Sequence, residues 1–347
     1  MKELYKKLLN EVEVEHTQTQ NRLRNDRVLI IDGLNTFIRL WTQNPTMNED
    51  GEHVGGVVGT LNSIGYMIRQ FSPTRAIIVF DGKGGSDGRK KIFDGYKSER
   101  GKNRFRVNRQ YPDMLNEEEE HISMKRQFVW LADLLDELPI TTMVYDGIEA
   151  DDVIAYMAKY NREHGNQTII VSTDKDFLQL VDDNTTIYSP THKILYNKEA
   201  VYQKYGLYPQ NLLLFRTLDG DSSDNIPGVK GCGIKTVLKR FPELSNDVAF
   251  SFDELYHQCK SATIKSKIYD DILSNWDDVM RNQKLMQLSD PQIPTSYALK
   301  ILGRFDEPNK TFDKMRFIKT AMKYKILQNW KDVNGWLNST FTNIICK

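Results

Sequence analysis

VLIIDGLN, residues 28–35, runs through four apolar residues to Asp32 and then turns at Gly33. The same phrase returns as AIIVFDGK at 76–83, as YDGIEADDV at 145–153 behind an apolar stretch from 140, and as TIIVSTDKD at 168–176. Sequence of helical character separates these segments, and strands alternating with helices predict an α/β fold, a mainly parallel twisted sheet with helices on both faces. In such a sheet the carboxyl ends of neighbouring strands open on one crevice. Each of these strands ends in acid: Asp32, Asp81, the trio Glu149, Asp151 and Asp152, and the pair Asp174 and Asp176.

A fifth segment, LDGDSSDNIPGVKGCGIKT at 218–236, adds Asp221 and Asp224. Carboxylates brought together repel one another, so their pKa values rise or cations bind, and hard oxygen donors select Mg²⁺, with Mn²⁺ able to substitute. Singly, several have ordinary explanations, since Asp-Gly is a common turn and a helix N-terminus favours acid. The acids of GIEADD exceed what a helix cap needs, and Glu149 and Asp152, three apart, share one helix face. Asp174 and Asp176, two apart, are expected on one side of a strand-like backbone. The whole set points to a divalent-metal phosphoryl-transfer site. Cys232, Cys259 and Cys346 lie far apart, and the histidines lack ligand spacing, which argues against a disulfide framework and against zinc.

Lysine plus arginine equals aspartate plus glutamate at 47 each, yet the charge is segregated. Between Lys83 and Arg109 stand Lys83, Arg89, Lys90, Lys91, Lys97, Arg100, Lys102, Arg104, Arg106 and Arg109, against only Asp87, Asp94 and Glu99. With Phe93, Tyr96, Phe105 and Tyr111 interleaved, the segment at about 82–120 reads as a basic nucleic-acid arch. In the fifth segment, backbone N–H groups at a glycine-punctuated turn can approach phosphates closely, and Lys230, Lys235, Lys239 and Arg240 add positive charge. Such a hairpin holds duplex without reading its sequence.

The expected organisation is a charged leader at 1–25, an α/β part at 26–217 containing the arch, and a mostly helical part at 218–347. Met124, Phe128, Leu131, Leu134 and Leu135 recur at helical spacing and are expected in the core, while Glu117–Glu120 reads as a solvated helix face. No apolar run approaches a membrane span and no signal-peptide pattern opens the chain, so a cytoplasmic protein is expected.

IIDGLN, VFDGK, FDGYKSER, GIEADD, STDKDF and GDSSDNIPGVKGCGIKT together resemble the successive motifs of the 5′ nuclease (flap endonuclease) family. RNQKLMQL at 281–288 and the helical tail more loosely resemble its T-even phage branch, an RNase H and 5′→3′ exonuclease. The resemblance implies a PIN-like fold and a metal-dependent hydrolase that cuts strands from a 5′ end at branched, nicked or RNA-primed duplexes. By match to the family pattern, Asp32, Asp81, Glu149, Asp151, Asp152 and Asp174 would hold a first metal, and Asp176, Asp221 and Asp224 a second. Arg89 and Lys97 would reach the scissile phosphate, with Lys83, Lys90, Tyr96, Arg100 and Arg104 on the DNA side of the arch. A helix-three-turn-helix at about 219–241 would grip duplex backbone through Gly228, Lys230, Gly231, Gly233, Lys235, Thr236 and Lys239, with a K⁺ ion. The resemblance further implies a monomer, with a single-stranded-DNA-binding protein or a sliding clamp as candidate protein partners, although no clear clamp-binding peptide is found at the C-terminus.

Two rivals belong to other classes. A haloacid-dehalogenase phosphatase needs Asp-x-Asp after its first strand, whereas Gly33 and Leu34 follow Asp32. A structure-specific DNA-binding protein without activity would have no use for the complete acidic set.

Overall fold

The computed structural model describes residues 24–98, 115–263 and 266–345. The chain enters β1 (Arg27–Asp32), continues through α1 (Gly33–Gln43) and α2 (Gly55–Phe71), and returns as β2 (Arg75–Asp81). The short α3 (Asp87–Ile92) and the long α4 (Glu117–Asp136) precede β3 (Thr141–Tyr145), α5 (Ala150–Glu163) and β4 (Gln167–Val171). A 3₁₀ turn (Asp176–Leu180) leads to β5 (Thr185–Ser189), β6 (Ile194–Tyr196) and α6 (Lys198–Tyr205).

These strands form one sheet of order β3-β2-β1-β4-β5-β6, parallel except for β6. The chain steps outward from β1 to β2 and β3, then crosses to β4 on the other side of β1. The strand order therefore reverses between β1 and β4, and the crevice opens at their carboxyl ends. Register is set by alternation. Val28 and Ile30 face the layer of α5, while Leu29 and Ile31 face α1, α2 and α4, and all four are fully buried. Each such side chain contributes about 1.5–3 kcal/mol on burial, so a slip by one residue would exchange the two cores.

Beyond the sheet come α7 (Pro209–Asp219), the two-residue strands β7 (Gly220–Asp221) and β8 (Ile226–Pro227), and α8 (Ile234–Arg240). Then follow α9 (Phe252–Ser261), α10 (Lys267–Ser274), α11 (Trp276–Met286), α12 (Thr295–Asp306), α13 (Lys314–Lys323) and α14 (Val333–Ile345). The last two pack back on the main core through Phe317, Ala321, Leu337 and Phe341. No helix among the described residues is long and apolar enough to cross a membrane.

The periodicity of Met124 to Leu135 is realised in α4, where Leu131, Leu134 and Leu135 are buried. The glutamates before it form its first turn, closed by a capping box between Asn116 and Glu119. Two features escaped the sequence reading. The strands β5 and β6 form a hairpin, although TTIYS at 185–189 is β-branched and follows the turn residues Asp182 and Asn184, whose hydrogen bonds the structure shows. Asp174 and Asp176 do not share a strand-like backbone: the Asp176 N–H donates to Asp174 Oδ1 at 2.8 Å, a turn that leads into the 3₁₀ segment. Of the leader only its last residues are described, and most of the arch beyond Ser98, with Arg100 and Arg104, lies outside the described residues.

Candidate active site

Asp32 ends β1 and caps α1, accepting from the Asn35 N–H at 3.2 Å, while its other oxygen accepts from the Ser172 hydroxyl at 2.9 Å. It is only 6% exposed. Ser172 follows β4 and also accepts from the Asp174 N–H at 3.1 Å, so one hydroxyl joins the two strand ends flanking the switch point. At the end of β2, Asp81 is exposed and accepts from the Ala150 N–H at 2.9 Å, which fixes the start of α5. That places Asp151 in the first turn of α5, facing Asp32 and Asp174.

The electrostatics record the crowding. Burial, with added repulsion from Asp174 and Asp81, pushes the Asp32 carboxyl up to about 7 against hydrogen bonds that favour its charge. Burial and the charges of Asp174 and Asp32 raise Asp151 well above the ordinary carboxylate range. Asp176 is likewise pushed up to about 7, by burial and then by Asp174.

Other acids are neutralised from within. Arg89 on α3 forms a two-pronged pair with Asp152, at 2.7 and 2.8 Å, and also reaches Glu149. Lys97 lies on the other oxygen of Glu149. Burial pushes the Glu149 carboxyl up, but Arg89 and Lys97 outweigh it and hold the group below its ordinary value. The three-residue spacing thus brings Glu149 and Asp152 to one cation. Arg216 on α7 does the same for two further acids, donating to Asp176 Oδ1 at 3.0 Å and to Asp221, and it also donates to the Gly220 carbonyl at 3.1 Å. Asp221 also accepts from the Ser223 N–H and hydroxyl, and these bonds with Arg216 overcome burial and lower its pKa. Among the described residues no group of three acidic, histidine or cysteine side chains is placed to hold an ion; the side chains of Arg89, Lys97 and Arg216 pair with Glu149, Asp152, Asp176 and Asp221.

The arch base is bound to the hairpin. The Lys97 N–H donates to the Asp224 carbonyl at 2.9 Å, and the Asn225 amide donates to the Gly95 carbonyl at 2.9 Å and to Ser98 Oγ at 3.1 Å. Tyr96 departs from its expected place on the DNA side. It is 3% exposed, packs with Ile226, Leu285 and Met286, and turns its hydroxyl to Glu149 at 3.2 Å. An amphipathic ring beside a buried carboxylate finds both its apolar contact and its hydrogen bond inside. Lys83 and Lys90 remain exposed.

In the hairpin, Lys230, Lys235 and Lys239 are exposed and Thr236 is half-buried. Gly228 is exposed and is also required by packing, because a Cβ there would stand 2.2 Å from the Asp219 carbonyl oxygen. Gly231, at φ +84°, occupies the left-handed region. Gly233 faces open space at the N-terminus of α8. Sequence reasoning missed Arg216 and Ser172. The signal for Arg216 was a lone cation in the apolar run NLLLFRTL immediately before DGDSSD, whereas Ser172 carried none.

Acids at the switch point of a parallel sheet, with a basic hairpin fastened to them, define a phosphodiester-cleaving class of site. The 5′-3′ exonuclease N-terminal resolvase-like domain matches residues 27–206, and the chain belongs to that family of nucleases. A 5′-3′ exonuclease of Buchnera aphidicola is 33% identical over 227 residues, covering 65% of this chain and 73% of that protein. Among solved structures, the T5 D15 protein co-crystallised with metal ions superposes with a TM-score of 0.59 at 21% identity, covering 87% of this chain and 98% of that one. The bacteriophage T5 D15 flap endonuclease, in a pseudo-enzyme-product complex with DNA and metal ions, gives 0.59 at 20% identity, covering 87% and 99%. These likenesses give the fold.

Proposed function

We propose that the chain hydrolyses phosphodiesters at the 5′ ends of RNA-primed, nicked or flapped duplexes, and so removes RNA primers during DNA replication. The observation that carries this reading is a crevice of crowded carboxylates tied through Arg216 to an exposed basic hairpin. The T5 D15 complexes accord with it. The B. aphidicola relative is bacterial, so the reading concerns the activity and not its host.

The donors suit Mg²⁺ or Mn²⁺, being all oxygen, with more negative charge around Asp32, Asp151 and Asp174 than the neighbouring cations offset. Asp32, Asp81, Glu149, Asp151, Asp152 and Asp174 would hold one ion, and Asp176, Asp221 and Asp224 another. Such ions, when bound, lower the pKa of the attacking water and stabilise charge on the leaving oxygen. The protein supplies orientation and charge. The hairpin holds duplex backbone, and Arg89 and Lys97, now paired with Glu149 and Asp152, can exchange those partners for a phosphate entering the crevice.

The deciding assay uses a 5′-labelled flap and an RNA-primed duplex with Mg²⁺ or with EDTA. Short 5′ products with the metal and none with the chelator are expected; binding without cleavage in both would favour a non-catalytic structure-specific DNA-binding protein.

Arg89→Ala and Lys97→Ala should each slow single-turnover cleavage by about 100-fold, since a cation poised at a reacting phosphate stabilises charge that grows in the transition state. Unchanged rates would mean that both only neutralise Glu149 and Asp152.

Joint replacement of Lys235 and Lys239 by Ala should weaken duplex binding with little change in sequence preference. The logarithmic salt slope should fall by about two units, roughly one for each lost phosphate contact. Affinity for a branched duplex across a salt series in Ca²⁺ measures this, and an unmoved slope takes α8 off the DNA surface.

A further inference from the structure

RNQKLMQL, residues 281–288, forms the last turns of α11 and the residues just beyond it. The last carbonyls of any helix lack partners within the helix. Here the site itself supplies them. Arg89 Nε donates to the Leu285 carbonyl at 2.8 Å, from the arch base, and Gln179 Nε2 donates to the Met286 carbonyl at 3.0 Å, from the 3₁₀ turn.

Gln179 does more than close a helix. Its second amide hydrogen goes to the Asp176 carbonyl at 2.8 Å, and its Oε1 accepts from the Leu288 N–H at 2.9 Å. One side chain therefore clamps the backbone of Asp176 to both sides of the α11 terminus. On the same helix, buried Asn282 donates to the Thr217 carbonyl at 3.1 Å and to the Pro227 carbonyl at 2.8 Å, holding the end of α7 and the hairpin strand β8. Arg281 lies over the Phe93 ring at 4.5 Å. The hairpin that would carry duplex and the turn that carries Asp176 are thus referred to one helix by two amides.

We propose that Gln179 is a positioning residue for strand cleavage: by fixing the Asp176 turn to α11, which holds the hairpin through Asn282, it sets which phosphodiester is cut relative to the bound duplex. This rests on the function proposed above. The clamp holds the Asp176 backbone at its carbonyl, and a misplacement on the order of 1 Å at a reacting centre costs about 100-fold in rate. Loosening the clamp lets the duplex sit in more than one register over the carboxylates, while the exposed lysines that bind it stay in place.

Gln179→Met keeps the bulk and removes the three hydrogen bonds; Asn282→Ala loosens the link on the hairpin side and serves if the first variant does not fold. The measurements are single-turnover cleavage of a 5′-labelled flap duplex with products resolved to one nucleotide, and duplex affinity in Ca²⁺. Wild type is expected to give one main product. The variants should spread cleavage to adjacent phosphodiesters and lose about 100-fold in rate with affinity unchanged. Variants that cut at the wild-type position, even if slower or less stable, show a merely structural role and overturn the assignment of Gln179 alone. A wild-type chain that does not cut overturns the function reading, and this one with it.

Discussion

Asp151→Asn should abolish cleavage, by more than about 100-fold, and at the same time raise the melting temperature of the metal-free protein near pH 8. The two effects share one cause. Burial, Asp174 and Asp32 hold the Asp151 carboxyl well above its ordinary range, so its ionised form opposes folding. With a folded pKa above the unfolded one, the native state binds more protons over the intervening pH range, and stability falls as pH rises through it. Asp32 and Asp176, each raised to about 7, act in the same direction and place the loss between about pH 4 and pH 7. The lowered Glu149 and Asp221 act elsewhere, losing their contribution only as pH drops below the usual carboxylate range. Replacing Asp151 with a neutral amide removes one source of repulsion, and a gain of roughly 2 °C or more is expected, measured by thermal unfolding in EDTA. DNA affinity should hold or improve, because a carboxylate facing phosphates has gone. Turnover within tenfold of wild type would take Asp151 out of the reaction. A lower melting temperature would make its carboxylate a structural partner instead.

The fold was legible where residues state their own environment. VLIID, AIIVF and TIIV contain too few polar groups to lie anywhere but between two layers, and they are the buried central strands β1, β2 and β4. Their terminal acids could be placed at one end of the sheet because parallel strands share a direction. The internal pairing of those acids was less legible. Arg89 and Lys97 were read as groups for a phosphate, and the structure shows them on Glu149 and Asp152, a choice that depends on distances no spacing rule encodes. Tyr96 illustrates the limit further: the family pattern put it on the DNA side of the arch, but Ile226 and Met286, far away in sequence, offer its ring a dry contact. Gly228 was noticed for close backbone approach, and the sequence did not show that the Asp219 carbonyl is one group approaching it. Long-range partners decide such cases.

Arg216→Ala should destabilise the metal-free protein by about 3 kcal/mol near pH 8, the low end for breaking a buried ion pair, because the groups involved retain some solvent contact. Burial lowers the Arg216 pKa, but Asp176 and Asp221 together outweigh it and raise it, so the guanidinium remains charged between them. Without it, two carboxylates face each other near Asp174. Burial and then Asp174 push the Asp176 carboxyl up to about 7 even with Arg216 present, and it should move higher when Arg216 is absent. The loss should therefore shrink near pH 5.5, where Asp176 takes up a proton in the folded state, and it should also shrink at pH 8 on adding Mg²⁺ or Mn²⁺, which replaces the missing charge. Arg216→Lys should fall between, since one ammonium cannot reproduce a planar fork that reaches both carboxylates and the Gly220 carbonyl. Thermal unfolding of the three proteins at both pH values, with and without divalent cation, separates charge from packing. An equal loss under all conditions would mean that Arg216 acts through the bulk of its stem, and the union of Asp176 with Asp221 would then have to come from the backbone of the turn alone.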